Sequence, residues 1–157
     1  MRVEVASSHR TVSIDVVQLS RNLALDAEVF LIEGDSKKSI GFFSHKMLVY
    51  FASEFAEYAM KNYLPNGMAE RNLLGLVRKW LEDPDSVSGD TMHKISSALN
   101  SVIFSSYSTR FSANTASSAI SAADYAAMAA PSPQAERERQ GRFIVDFLRS
   151  DKALFLL

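Results

Sequence analysis

At 157 residues, with 47% apolar and 22% charged side chains, the chain has the size and balance of one globular domain able to bury a core. A net charge of −1 supplies no basic surplus for nucleic acid or for an anionic membrane. Cysteine is absent, which excludes disulfides and thiolate metal sites and fits a reducing compartment.

The start, MRVEVASSHR, carries no apolar run of the signal-peptide kind. No stretch approaches the ~18 uninterrupted apolar residues of a membrane span. A soluble cytoplasmic protein is the expectation.

The opening segment supports two readings. Val3 and Val5 alternate with Arg2 and Glu4, and Val12, Ile14 and Val16 alternate again, as in a short hairpin turning at Ser7-Ser8. Alternatively, Ser13 caps a helix in which Val16, Leu19, Leu23, Ala27 and Phe30 fall at helical steps and Gly34 closes the end. The helix, over residues 14–32, is favoured, preceded by an irregular or weakly extended arm. The following EGDSKKSIG is rich in turn formers and reads as a loop.

From Phe42 to Leu64 the periodicity is helical. Leu48, Phe51, Ala52, Phe55, Ala59 and Tyr63 mark one face, and Lys46, Ser53, Glu54, Glu57 and Lys61 the other. Pro65-Asn66-Gly67 breaks it. A second helix over residues 68–82 turns Leu73, Val77, Trp80 and Leu81 inward and Glu70, Arg71, Arg78 and Lys79 outward, so the two form an antiparallel hairpin. Asp83-Pro84-Asp85 stops it. A third helix opens at Ser88 or Asp90, with Met92, Ile95, Leu99, Val102, Ile103 and Tyr107 on its apolar face.

Residues 112–130, SANTASSAISAADYAAMAA, are half alanine, the best helix former because it freezes no rotamers. Ala116, Ala119, Ile120, Ala123, Ala127 and Ala130 form one stripe against which bulkier helices can pack closely. Asp124, one position round, is expected to face water. Pro131 ends this element. Ser132 as N-cap with Pro133 in the first helical position opens the last helix. There Glu136 with Gln140, and Glu138 with Arg142, lie four apart on the wet side, while Phe143, Ile144, Phe147 and Leu148 are buried. The apolar tail LFLL docks on the domain or on a partner.

The architecture expected is all-α: a compact bundle of about five to six helices around the alanine-rich one. It forms a single domain over 1–157, with a helical core at 42–157 and a less regular segment at 1–40.

Chemistry-bearing residues are sparse. His9, His45 and His93 show no ligand spacing, and HExxH, GxSxG, GxxxxGK[ST] and GxGxxG are all missing. Asp83 and Asp85 flank a proline as caps and stops do. AERERQGRF mixes both signs and reads as a solvated helix face. Trp80 falls on an apolar stripe, and Tyr50, Tyr58, Tyr107 and Tyr125 each need a polar partner if buried. No catalytic, cofactor-binding or metal residue is expected, no cofactor is implied, and no residue is singled out as a contact surface.

FASEFAEYAMKNYLPNGMAERNLLGLVRKWLEDPDSVS, then the Ser/Ala helical region, then AERERQGRFIVDFL, resembles the alanine-rich immunity proteins and similar small helical proteins of phages and prophages. The features concerned are the turn Tyr63-Leu64-Pro65, the helix end Trp80-Leu81, the 112–130 stretch, and the closing segment Glu136 to Leu148. Serine replaces much of that family's alanine at 96–108, and the likeness does not reach the N-terminal segment. The resemblance implies an all-helical fold and a binding role, that of an immunity factor or phage-type inhibitor of a partner protein. The other class in view is an assembly component that self-associates through the alanine helix or the apolar tail; an enzyme ranks lowest.

Overall fold

The computed structural model describes residues 1–63 and 115–157, together with Gly75, Arg78, Lys79, Glu82, Asp83 and Asp85. Most of the expected second helix, with Trp80, and the whole of the third, with His93 and Tyr107, lie outside the described residues. So do the Pro65-Asn66-Gly67 break and Pro84.

The all-α bundle is overturned by an antiparallel four-stranded sheet at the N-terminus, ordered β2-β1-β3-β4. Its strands are β1 (Arg2–Ala6), β2 (Thr11–Asp15), β3 (Glu28–Glu33) and β4 (Ser36–Phe42). The protein is therefore α+β. The hairpin reading of the first segment is the one that forms: Val3 pairs with Ile14 and Val5 with Val12. Its turn is held by Ser7, whose amide donates to the Arg10 carbonyl at 2.8 Å.

A helix over 14–32 does not form. Asp15 ends β2 and caps a short 3-10 segment, Val16–Arg21, by accepting from the Val17 amide at 3.1 Å. Val16, Leu19 and Leu23 do point inward, so their helical spacing marked a real apolar face, but of one short 3-10 segment and a loop. Beyond it, EVFLIE is β-branched and aromatic and becomes a central strand paired on both sides, to β1 and to β4. Val29 and Leu31 are buried while Phe30 and Ile32 take the other face, the period-two pattern of a half-buried strand. The loop expected at EGDSKKSIG is a tight turn and then β4. Gly34, with φ +59°, is the first residue of a two-residue hairpin turn, a position that glycine occupies without steric cost.

Helix α1 spans His45–Asn62, starting three residues later than the periodicity suggested because Ser44 caps it by accepting from the Met47 amide at 3.1 Å. Phe51 and Phe55 are fully buried. Phe51 meets Phe43, Phe143 and Phe147 edge-on, with centroids 6.1, 6.2 and 5.4 Å apart. Each such ring contributes about 1.5–3 kcal/mol by leaving water. Ser53, expected outward, is buried and donates to the Tyr50 carbonyl at 2.7 Å.

Helix α2, Thr115–Ala129, is the alanine helix. Its buried face is wider than one stripe, adding Ala122 and Ala126 to Ala116, Ala119, Ala123 and Ala127. It packs most extensively on α1, then on α3 and the first 3-10 segment. Helix α3, Pro133–Leu148, opens as the sequence indicates, with Ser132 accepting from the Ala135 amide and Pro133 in the first turn. A second 3-10 segment, Asp151–Leu156, follows. The inner sheet residues share one core with α1, α2 and α3.

Candidate interaction surface

Two places concentrate side chains of consequence. The first is interior. Glu136 and Gln140, expected on the wet side of α3, are 2% and 0% exposed. The Glu136 carboxylate accepts from the Tyr63 hydroxyl at 2.8 Å, from Arg139 Nε and a terminal guanidinium nitrogen at 2.7 Å each, and from Gln140 Nε2 at 3.0 Å. Gln140 also donates to the Ala123 carbonyl at 2.9 Å and accepts from the Ser20 hydroxyl at 2.8 Å. Arg139 lies 3.4 Å from the centre of the Tyr58 ring, a cation–π contact.

The solvated-face reading of AERERQGRF is thus corrected for Glu136, Arg137 and Gln140. Charge alone did not expose Glu136 and Gln140, because Arg139 neutralises the carboxylate and the polar atoms of both side chains find partners. Gly141 explains how the charged face comes inside. A Cβ there would sit 2.0 Å from the Val16 carbonyl oxygen, so only glycine lets α3 lie directly on the first 3-10 segment. That adjacent glycine was the available signal, and sequence reasoning did not use it.

Burial first, then the bond to the Glu136 carboxylate, pushes the Tyr63 phenol up to about 12. With its oxygens saturated and 2% exposure, Glu136 is a structural tie rather than a base open to a substrate. Nearby, Asp124 is only half-exposed: it accepts from Arg137 at 2.8 Å and lies 3.8 Å from Arg21.

The second place is the surface formed where α1, α3 and the closing 3-10 segment meet. Ala153 is buried and Leu156 half-buried, and the Ser44 hydroxyl donates to the Leu156 carbonyl. These contacts pin the segment. Its other apolar side chains then point outward: Leu154 is 68%, Phe155 81% and Leu157 68% exposed. Beside them lies an open depression of about 680 Å³ lined by Tyr50, Phe147, Phe155 and Leu156 together with Arg78, Glu82 and Lys152. Tyr50 and Phe147 stack there at 4.9 Å. The expectation that LFLL docks is met for part of the tail only.

Comparison of the chain with protein-family models, curated proteins and solved structures returns no match. Geometry is therefore the guide.

The remaining residues singled out in the sequence are scattered. His9 sits in the first hairpin turn, with its amide 3.4 Å from the Ser7 hydroxyl, and His45 opens α1; both are exposed. Asp83 caps locally, accepting from the Asp85 amide at 3.2 Å. Glu138 and Arg142 form the expected exposed pair at 3.1 Å. Among the described residues, no three His, Asp or Glu side chains gather as a metal ion requires, and no helix is long and apolar enough to cross a membrane. A second depression is lined by Leu31, Lys38, Ile40 and Arg149 among others. The alanine stripe faces the interior and is not a docking surface.

Proposed function

We propose that the protein works by binding another protein chain through the apolar surface of its closing 3-10 segment. The observation that carries this reading is the trio Leu154, Phe155 and Leu157, each about two-thirds exposed or more on a segment that Ala153 and Leu156 anchor. Large apolar side chains held outward by an ordered backbone bind well, because little ordering entropy is left to lose on association. An inhibitor or immunity factor, the role that the sequence resemblance implies, would turn such a surface on a foreign protein. An assembly component would turn it on itself. A cytoplasmic setting suits either.

The test compares immobilised wild-type protein with Phe155→Asp for what each retains, from its own solution and from host extract. Retention should be lost in the variant while its circular dichroism spectrum is unchanged. Equal retention by both proteins would overturn the proposal.

A further inference from the structure

We infer that the hollow between the β3–β4 hairpin and the end of α3 binds a small organic carboxylate, one negative charge on a short apolar body; this stands apart from the protein-binding reading above. Strand register builds the hollow. Leu31 faces the core and Lys38 is its cross-strand partner, so the lysine lies on the same inner face of the sheet. Glu33 and Ser36, paired at the turn, follow on that face by alternation. Helix α3 reaches the other end of the hairpin, where a Cβ on Gly41 would stand 3.6 Å from Leu148 Cδ2, and Arg149 comes next in the chain. Leu31, Glu33, Ser36, Lys38, Ile40 and Arg149 are among the residues around a hollow of about 530 Å³, a volume typical of small-ligand sites.

Charge selects the ligand. Among the described residues, the side chains of Lys38 and Arg149 make no hydrogen bond or ion pair, whereas every other described arginine makes at least one. Glu33 offsets one of the two charges, and one positive charge is left over. A planar guanidinium matches the two oxygens of a carboxylate, while Leu31 and Ile40 offer an apolar wall to the rest of the molecule.

An inward lysine on an edge strand also discourages strand pairing, and a cation at a helix end answers the last carbonyls. Neither role calls for two unpaired cations, from different elements, around one hollow.

Hexanoate is the probe, followed through the amide chemical shifts of the full chain labelled with nitrogen-15. It should give saturable shifts at residues 31–40 and 148–150, and hexanamide, of the same length without the charge, should give none. Lys38→Gln and Arg149→Gln should each weaken hexanoate at least about threefold, as loss of one half-open charge contact does. Glu33→Gln removes the one negative group in the lining and should tighten it. All three positions are exposed, so the core is left alone. Phe155→Asp should leave hexanoate binding unchanged, which separates this test from that of the tail surface. Shifts that stay linear with concentration, fall outside the hollow, persist undiminished in both cation variants or appear equally with hexanamide would overturn the inference. Inorganic phosphate bound as tightly as hexanoate would overturn it too, for the apolar wall would then contribute nothing.

Discussion

Gly141→Ala sets two known effects against each other at one position. In an ordinary helix interior, glycine to alanine stabilises by about 0.8–1 kcal/mol, since alanine loses less backbone freedom and covers more of the helix. Here the new Cβ lies 2.0 Å from the Val16 carbonyl oxygen, 2.9 Å from its carbonyl carbon and 2.9 Å from its Cγ2. Two of those three atoms are backbone, so no rotamer change relieves the clash. Helix α3 must back away from the 3-10 segment by more than an ångström. A gap of that size forfeits roughly a quarter to a half of the dispersion energy across the contact. It also stretches the 2.8 Å bond between Ser20 and Gln140, worth about 1 kcal/mol. Overpacking itself costs about 1–3 kcal/mol. Steric and packing losses exceed the propensity gain, and the net expectation is destabilisation by about 2–3 kcal/mol. For a chain of this length, that lowers the melting temperature by roughly 4–12 °C. Differential scanning calorimetry of the two proteins reads it directly. A variant as stable as wild type, or more so, would refute the close approach of α3 to the N-terminal half.

The remaining predictions concern the same interior. Glu136→Ala strands Arg139 and the Tyr63 hydroxyl and should cost about 2–4 kcal/mol in denaturant unfolding, below the range for a fully buried pair because Arg139 reaches water. Glu136→Gln keeps an acceptor for Tyr63 and should cost less, about 1–2 kcal/mol; equal losses would show that the charge carries the whole effect and the neutral acceptor adds nothing. Ala123→Leu should cost about 1–3 kcal/mol, because Ala123 is fully buried, and an unchanged melting temperature would put the burial of the α2 alanine face in doubt. Asp124→Leu should also destabilise, by about 1–3 kcal/mol, since it leaves the 9%-exposed Arg137 side chain without its carboxylate; a neutral result would mean that water serves Arg137 equally well. Finally, the Tyr63 phenol is raised to about 12 from an unfolded value near 10. The folded state therefore holds this proton more tightly, and the stability it contributes is complete below about pH 10 and is lost as pH rises through about 12. Ultraviolet titration should find a late-ionising tyrosine that Tyr63→Phe removes, and a Tyr63→Phe protein with an unaltered titration curve contradicts the assignment.

The helices that survive the comparison are those whose ends carry chemical marks. Ser132-Pro133 opens α3 where the sequence places it, and the alanine run becomes α2 because nothing in it favours another state. Of the N-terminal sheet only the β1–β2 hairpin was legible, as the alternative reading; β3 and β4 were read as helix and loop. Val16, Leu19 and Leu23 lie at helical spacing for about two turns, and adding Ala27 and Phe30 extended that signal into a strand that is equally apolar. Period alone does not separate these cases; the β-branched EVFLIE and the Gly34-Asp35 pair behind it do. The interior tie at Glu136 was invisible for a different reason. Charge pattern measures what a side chain costs to bury, and says nothing about Tyr63, Ser20 and the Ala123 carbonyl, which reach that position from elsewhere in the chain. The outward tail was legible as apolar, but which of its members turn inward is decided by Ser44 and the end of α1.

The bond from Ser20 to Gln140 joins positions 120 residues apart, and Gly141 rests on Val16 beside it. That long reach bears on how the molecule is made. Strands β1 to β4 leave the ribosome first, yet α3, which supplies Gln140, Gly141 and Phe147, emerges only after the intervening chain. Until then the 3-10 segment lacks its cover, and Val16 and Leu19 must wait in water or in a temporary embrace. Closing so long a loop is slow compared with forming a hairpin or a helix turn. The nascent chain thus passes through a period in which its sheet can form but its core cannot, and a chaperone that shields apolar strands would find its substrate there.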